Sequence, residues 1–210
     1  MNNNESTNQI YFDYIFENDY KDTIFEYGII NGNNKILLIK PGLNGYLLGH
    51  NNKYYHLAKS INEKYGYTVI CSNNPQTDIS NPLDDAMKVI NDYVVHRNFT
   101  TYEIYYLGDS NGGVIGAKFI YMYPYIKKAL LINPPLFISY HKLKDGIIKF
   151  NGEKMMFIYG KLDPSYKFVE LLDLIDNDKI SYMVLENEDH NLSDDLNLLI
   201  SLVKNYLLSD

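Results

Sequence analysis

The sequence predicts an α/β fold in which one mostly parallel sheet carries helices on both faces. From residue 35 onward, short apolar segments alternate with helical segments that have one apolar face, as in folds built from strand and helix units. The apolar segments are continuous rather than alternating, which indicates strands buried on both sides. With 210 residues, 46% of them hydrophobic and 21% charged, the chain is suited to one sizeable core. We expect a polar tail over residues 1–9 and a single domain over 10–210.

An antiparallel hairpin is predicted at one edge of the sheet. Residues 11–16 and 23–30 have strand character, and the segment between them, 17–22, is polar. The later strands are predicted at 35–40, 67–70, 104–107, 129–132, 154–159 and 180–185. Helices are predicted at about 53–65, 82–96, 114–123 and 193–208. Only about twenty residues separate Asn133 from Lys154, which leaves room for one short helix and predicts that no large cap domain covers the sheet.

The chemistry of the chain is indicated first by Gly108-x-Ser110-x-Gly112. An apolar strand precedes this motif and a helical segment follows it, so the serine is expected on a sharp strand-to-helix turn. Glycines flank the serine because a strained turn between a closely packed strand and helix has little room for Cβ atoms. A serine hydroxyl is a weak nucleophile at neutral pH and requires a general base, which a third group orients.

Two later strands end in residues that could supply these groups. The strand at 154–159 leads into Gly160-x-x-Asp163-Pro164, and the strand at 180–185 leads into Asp189-His190. With these motifs, in the order serine, acid, histidine, the chain resembles a small member of the α/β-hydrolase family over nearly its full length. The resemblance implies that Ser110 is the nucleophile, Asp163 the acid and His190 the base.

The resemblance also extends to the strand at 35–40 and the glycine-rich turn after it, Pro41-Gly42-Leu43-Asn44-Gly45. In the family, the loop at this point and the residue after the nucleophile supply backbone N–H groups to an oxyanion. By that match the donors are Leu43 and Asn111. The implied function is hydrolysis of a carboxylic ester through an acyl-enzyme, without a metal or an organic cofactor. A thioesterase or acyltransferase acting on a carrier-bound acyl group, and a non-catalytic binding module with the same fold, are the alternatives.

Several of these residues also have simpler interpretations. Asp163 could begin a turn or cap a helix that starts near Ser165, and His190 could be a solvated loop residue, with His50 as a weak rival. The role of Asp109 is left open. The segment after the strand at 129–132 supplies apolar and aromatic surface that could contact a substrate or could only pack a short helix onto the sheet. Its candidate substrate contacts are Leu136, Phe137 and Tyr140.

Composition narrows the class of partner. The formal net charge is −7, with 19 Lys and Arg against 26 Asp and Glu, which argues against nucleic acid as a partner. The partner that the resemblance implies is a small-molecule ester or thioester. The single cysteine, Cys71, excludes an internal disulfide and is expected to be a buried apolar residue. We find neither a signal-peptide pattern nor an apolar run long enough to span a bilayer, so a cytoplasmic location is expected. The sequence does not predict an oligomeric state.

Overall fold

A computed structural model describes residues 11–20 and 22–209, and within them the strands form one eight-stranded sheet. The expected tail over 1–9 lies outside the described residues. The strands are β1 (Tyr14–Tyr20), β2 (Thr23–Ile30), β3 (Asn33–Lys40), β4 (Tyr67–Ser72), β5 (Glu103–Asp109), β6 (Ile126–Ile132), β7 (Lys154–Gly160) and β8 (Ile180–Leu185). Their order across the sheet is β1-β2-β4-β3-β5-β6-β7-β8. β2 pairs antiparallel with β1 and with β4, and the remaining pairs are parallel.

Helices cover both faces of this sheet, as predicted. They are α1 (Lys53–Tyr65), α2 (Leu83–His96), α3 (Asn111–Phe119), α4 (Tyr140–Lys149) and α5 (Leu196–Val203). A 3₁₀ segment, Pro164–Leu174, follows β7. The buried residues of α1 and α5 belong to one hydrophobic cluster, and those of α2, α3 and α4 belong to a second cluster on the opposite face.

Strand β3 explains why the parallel strands have continuous apolar sequences. Leu37 and Ile39 pack into the cluster that contains α1, whereas Ile36 and Leu38 pack into the cluster that contains α2. Each of the four is at most 1% exposed. Because successive side chains of a strand point to opposite faces, a strand covered on both faces requires an apolar residue at every position.

The edge hairpin is present, but its first strand lies further along the chain than predicted. β1 runs from Tyr14 to Tyr20 rather than over 11–16, and it includes the polar residues that we expected in the turn. Among the described residues β1 pairs only with β2, so most of its side chains face solvent and polar residues are tolerated. The Asn18 amide also donates to the Asp85 carboxylate of α2, at 3.1 Å, which gives one of these polar residues a specific partner.

The C-terminal helix is shorter and less regular than the predicted span of 193–208. A 3₁₀ turn (Leu192–Asp194) precedes α5, and a π-helical turn (Lys204–Leu208) follows it. The start of α5 is fixed by Asp195, whose carboxylate accepts from the backbone N–H groups of Asn197 and Leu198, at 2.8 and 3.1 Å. A side-chain acceptor at this position satisfies donors that the first turn of a helix leaves free.

The connection between β6 and β7 contains α4 and no cap domain, as its length predicted. The loops that follow β3, β5, β7 and β8 therefore meet at the carboxyl edge of the sheet without an overlying domain. Ligand sites of open α/β sheets form at this edge.

Candidate active site

Ser110 lies at a strained turn between β5 and α3. Its backbone has φ of 50° and ψ of −112°, a conformation that residues with a Cβ rarely adopt. The Ser110 N–H donates to the carbonyl of Ile132 at the end of β6, at 2.8 Å, which anchors the turn to the neighbouring strand. The predicted strand, turn and helix are all observed here, with the helix beginning at Asn111 rather than near residue 114.

The close approach of α3 to the sheet accounts for Gly112. A Cβ at this position would lie 2.1 Å from the carbonyl oxygen of Lys40 and 2.7 Å from that of Pro41. These are backbone atoms at the end of β3, which cannot rotate away as a flexible side chain could. Glycine at this point therefore allows the turn that carries Ser110 to sit directly against the loop after β3.

Asp163 and His190 are in contact. Asp163 follows β7 and is 2% exposed, and its carboxylate is hydrogen-bonded to Nδ1 of His190 in the loop after β8. The other carboxylate oxygen accepts from the backbone N–H of Ser165, at 2.5 Å. Asp163 therefore does cap the 3₁₀ segment, as its simpler interpretation proposed, and the same carboxylate binds the histidine.

Ser110 and His190 line a common cleft at the carboxyl edge of the sheet, together with the loop after β3. The ring of His190 is bound on its Nδ1 side, and the side chain is 45% exposed. No hydrogen bond joins the Ser110 hydroxyl to this ring in the part of the chain that the structure describes. Hydrogen bonds of this kind are often long in ligand-free active sites and tighten when substrate binds. His50 lines the same cleft.

The turn Pro41 to Gly45 runs beside Ser110. A Cβ at Gly42 would lie 3.4 Å from Ser110 Cβ and 3.8 Å from its Oγ, and the Gly45 N–H closes the turn by donating to the Gly42 carbonyl. Within residues 11–20 and 22–209, the backbone N–H groups of Leu43 and Asn111 donate no hydrogen bond. Two free donors thus lie on the segments that border the serine.

Asn74, which the sequence analysis did not single out, fixes this turn. It follows β4, is 2% exposed, and its amide donates to the Pro41 carbonyl, at 2.9 Å, and to the Asn111 side chain, at 3.0 Å. The backbone carbonyl of Asn74 accepts from the backbone N–H of Asn44, at 2.8 Å. The signal in the sequence was an asparagine just past the carboxyl end of a parallel strand, where site residues collect.

The structure shows what Asp109, whose role the sequence left open, is bonded to. Its carboxylate accepts from the Tyr54 hydroxyl, at 2.6 Å, and pairs with the Lys53 ammonium, at 3.3 Å. Burial, and then the neighbouring Asp109, raise the pKa of Tyr54 well above its ordinary value, so this tyrosine stays a hydrogen-bond donor. Asp109 therefore ties the start of α1 to the turn that carries Ser110 instead of facing solvent.

The three candidate substrate contacts have different surroundings. Leu136 is fully buried in the hydrophobic core, which corrects the expectation that it contacts a substrate, since no surface of it is open. Phe137 is 53% exposed and its ring packs on Phe168, with 4.7 Å between ring centroids. The Tyr140 hydroxyl donates to the Leu171 carbonyl, at 2.9 Å. For Phe137 and Tyr140 a substrate contact remains a prediction.

A buried lysine ends β3, directly before the turn from Pro41 to Gly45. Lys40 is fully buried, and its ammonium group donates to the Asn73 carbonyl, at 3.1 Å. Burial lowers the pKa of Lys40 from 10.5 to about 8. The unfolded chain therefore holds this proton up to a higher pH than the folded chain does.

This pKa difference predicts how stability depends on pH. Below pH 8 the folded state carries the full cost of burying the charge, and the free energy of unfolding rises as the pH increases from about 8 toward 10.5. From pH 8 to 9.5, we expect stability to rise by roughly 1.5 kcal/mol more in the wild type than in Lys40→Met. The free energy of unfolding is measured by urea unfolding of both proteins at each pH. Taking the difference between them removes the contribution that the tyrosines make to the pH dependence of stability. Lys59→Met, at an exposed position, should show the same pH dependence of stability as the wild type. If stability depended on pH in Lys40→Met as it does in the wild type, the prediction would be contradicted.

Comparison with solved structures identifies the architecture. Est1E from Butyrivibrio proteoclasticus with ferulic acid bound superposes with a TM-score of 0.69 over 90% of this chain and 96% of that chain, at 15% identity. An alpha-beta serine hydrolase homologue from Coxiella burnetii gives 0.65 over 92% and 97%, at 17% identity. Dienelactone hydrolase from Anabaena variabilis gives 0.66 over 92% and 97%, at 12% identity. This chain has the α/β-hydrolase fold.

No protein-family model and no curated protein matches the chain, so among the comparisons the α/β-hydrolase fold is shown by the solved structures alone. The likeness covers more than nine-tenths of each of the three solved chains, so it extends over the whole fold and not over a part of it. Among the described residues, no helix combines the length and the apolar character needed to cross a membrane. Within residues 11–20 and 22–209, we find no group of three or more His, Cys, Asp or Glu side chains that could hold a metal ion.

Proposed function

We propose that this protein is a serine hydrolase that cleaves carboxylic esters through an acyl-enzyme on Ser110. One observation carries the proposal: a serine in strained backbone shares a cleft with a histidine whose Nδ1 is bound to a buried aspartate. The α/β-hydrolase fold of the chain supports a hydrolytic function of this kind, because in that fold the same order of residues forms catalytic triads.

In the proposed mechanism, His190 Nε2 accepts the proton of Ser110 as Oγ attacks the ester carbonyl carbon. Asp163 holds the imidazole in the tautomer that leaves Nε2 free to accept, and it stabilises the imidazolium that forms. The N–H groups of Leu43 and Asn111 donate to the oxyanion of the tetrahedral intermediate. His190 then protonates the departing alcohol as the carbon–oxygen bond breaks, which leaves the acyl group on Ser110.

Deacylation repeats these steps with water. His190 removes a proton from a water molecule, the resulting hydroxide attacks the acyl carbon, and the proton passes to Ser110 Oγ as the carboxylic acid leaves. The half-exposed ring of His190 is consistent with direct access of water to the acyl-enzyme.

The lining of the cleft suggests the class of substrate. Leu43 and Tyr46 border it and are 53% and 52% exposed, so they offer apolar and aromatic surface beside Ser110. No cap encloses a long chain, which favours small or medium acyl groups. The ferulic acid bound to Est1E makes esters of aromatic acids a reasonable part of the first substrate panel.

Intact mass after treatment with a fluorophosphonate tests the proposal. We expect one adduct on the wild type, no adduct on Ser110→Ala, and labelling slowed by about 100-fold or more in His190→Ala, because the hydroxyl loses its general base. His56→Ala removes an exposed histidine of α1 and should label at the wild-type rate. Absence of an adduct on folded wild-type protein would overturn the serine-hydrolase proposal.

A further inference from the structure

Asn133 immediately follows β6, at the start of the connection to β7. It is fully buried and has φ of 46°, in the left-handed region. Its backbone N–H donates to the carbonyl of Ile158 in β7, at 2.8 Å. It directly follows Ile132, whose carbonyl accepts the N–H of Ser110, so Asn133 lies one residue from the anchor of the nucleophile turn.

The carboxamide of Asn133 contacts both loops that carry the other site residues. Its Nδ2 group donates to the carbonyls of Asp189 and His190, at 3.1 and 2.9 Å. Its Oδ1 accepts from the N–H of Gly160, at 2.8 Å, in the turn that leads to Asp163. Both donors face carbonyls and the acceptor faces an N–H, so the partners themselves determine the orientation of the amide.

These contacts help to hold His190 in place, although its side chain is partly exposed. The His190 side chain is 45% exposed, so packing alone holds it weakly, whereas a general base must stay within hydrogen-bond reach of the nucleophile. The Asn133 side chain is hydrogen-bonded to the backbone carbonyl of His190 and to the backbone N–H of Gly160, which precedes Asp163 by three residues. It therefore fixes the separation of the two loops at the point where imidazole and carboxylate meet.

We infer that Asn133 is a positioning residue that acts through His190 and Asp163. It touches neither the substrate nor the reacting atoms, and it keeps the imidazole aligned between the carboxylate and Ser110. This inference rests on the proposed function, because positioning is meaningful only if His190 acts as the base. An aspartate would not replace Asn133, since it lacks the two N–H donors that the carbonyls of residues 189 and 190 require.

Asn133→Gly is the most direct test, because glycine accepts the left-handed backbone and removes only the side chain. We expect kcat for an aryl ester to fall by about 10- to 100-fold, with KM within twofold of wild type, because misalignment affects the chemical step more than binding. The matched control is Asn98→Gly, which replaces an exposed asparagine with φ of 55° between α2 and β5. Its kinetics should equal those of the wild type.

A double-mutant cycle with His190→Ala separates positioning from general loss of structure. If Asn133 acts through His190, Asn133→Gly should cause no further loss of kcat in the His190→Ala background. The NMR signal of the His190 Nδ1 proton, held by Asp163 in the wild type, should broaden or disappear in Asn133→Gly and persist in Asn98→Gly. Asn133→Asp, which keeps the shape and the acceptor oxygen but lacks both donors, provides a second variant if the glycine variant does not fold, and we expect it to show the same loss of kcat.

The outcomes are distinct. Wild-type kcat in folded Asn133→Gly, or an equal loss of kcat with and without His190, would overturn the positioning role while leaving the hydrolase proposal intact. Failure of the wild type to react with fluorophosphonate would instead overturn the proposed function itself.

Discussion

Replacement of Ser110 by alanine is expected to lower kcat for ester hydrolysis by about 10⁶-fold, because the acyl-enzyme can no longer form. Replacement of Asp163 by asparagine is expected to lower kcat by about 10⁴-fold, with little change in KM. Asparagine preserves the size of the side chain, but its N–H₂ group can donate to His190 Nδ1 and select the tautomer whose Nε2 cannot accept the serine proton. The same buried geometry would then hold the base in its inactive form.

These effects should not add, because the three residues act as one unit. The Ser110→Ala, Asp163→Asn double variant is expected to be no slower than Ser110→Ala alone. Initial rates with an activated aryl ester, measured on protein whose fold is verified by circular dichroism, provide the comparison. Ser201→Ala, at an exposed position of α5, controls for the loss of a hydroxyl group. A fall of less than tenfold in Asp163→Asn would show that the aspartate is only a helix cap.

Gly112→Ala is expected to have the largest effect on stability. The added methyl group would lie 2.1 Å from the Lys40 carbonyl oxygen, so β3 and α3 must move apart. We expect the free energy of unfolding to fall by roughly 3 kcal/mol, since overpacking against backbone cannot be relieved by a rotamer change. The displaced turn should also slow fluorophosphonate labelling of Ser110, because the nucleophile moves relative to the loop after β3.

Gly42→Ala provides the matched control for this stability measurement. Its new methyl group would lie 3.4 Å from Ser110 Cβ and meets no closer atom, so we expect stability within about 0.5 kcal/mol of wild type. Urea unfolding of the three proteins gives the comparison. Equal stability of Gly112→Ala and wild type would mean that the sheet and α3 can separate at little cost, contrary to the tight contact described above.

The parts of the fold that were predictable from sequence are those set by local pattern. Buried parallel strands have apolar residues at every position, and amphipathic helices have a period of 3.6, so the alternation from β3 onward was readable. Cys71 was expected to be buried and is fully buried. β1 was misplaced because an edge strand is exposed along most of its length and does not need an apolar pattern to pair.

The candidate site could be predicted where sequence motifs indicate it, and not where it depends on pairs of residues that are far apart in the sequence. Ser110, Asp163 and His190 could be proposed because each follows a strand in the order typical of the fold. The contact of Tyr54 with Asp109 joins residues 55 positions apart, and that of Asn133 with His190 joins residues 57 positions apart. A single sequence contains no signal for such pairings. The burial of Leu136 likewise depends on how α4 packs, which the apolar character of its segment does not specify.

The absence of a cap between β6 and β7 has a kinetic consequence. In enzymes with a lid or cap, domain opening or product release often limits turnover, and kcat then reports a conformational step. In the described part of this chain only short connections surround the cleft, so we expect substrate entry and acid departure to require no domain movement. For the proposed hydrolase, kcat should therefore report acylation or deacylation directly, and the identity of the leaving group should indicate which of these two steps is slower.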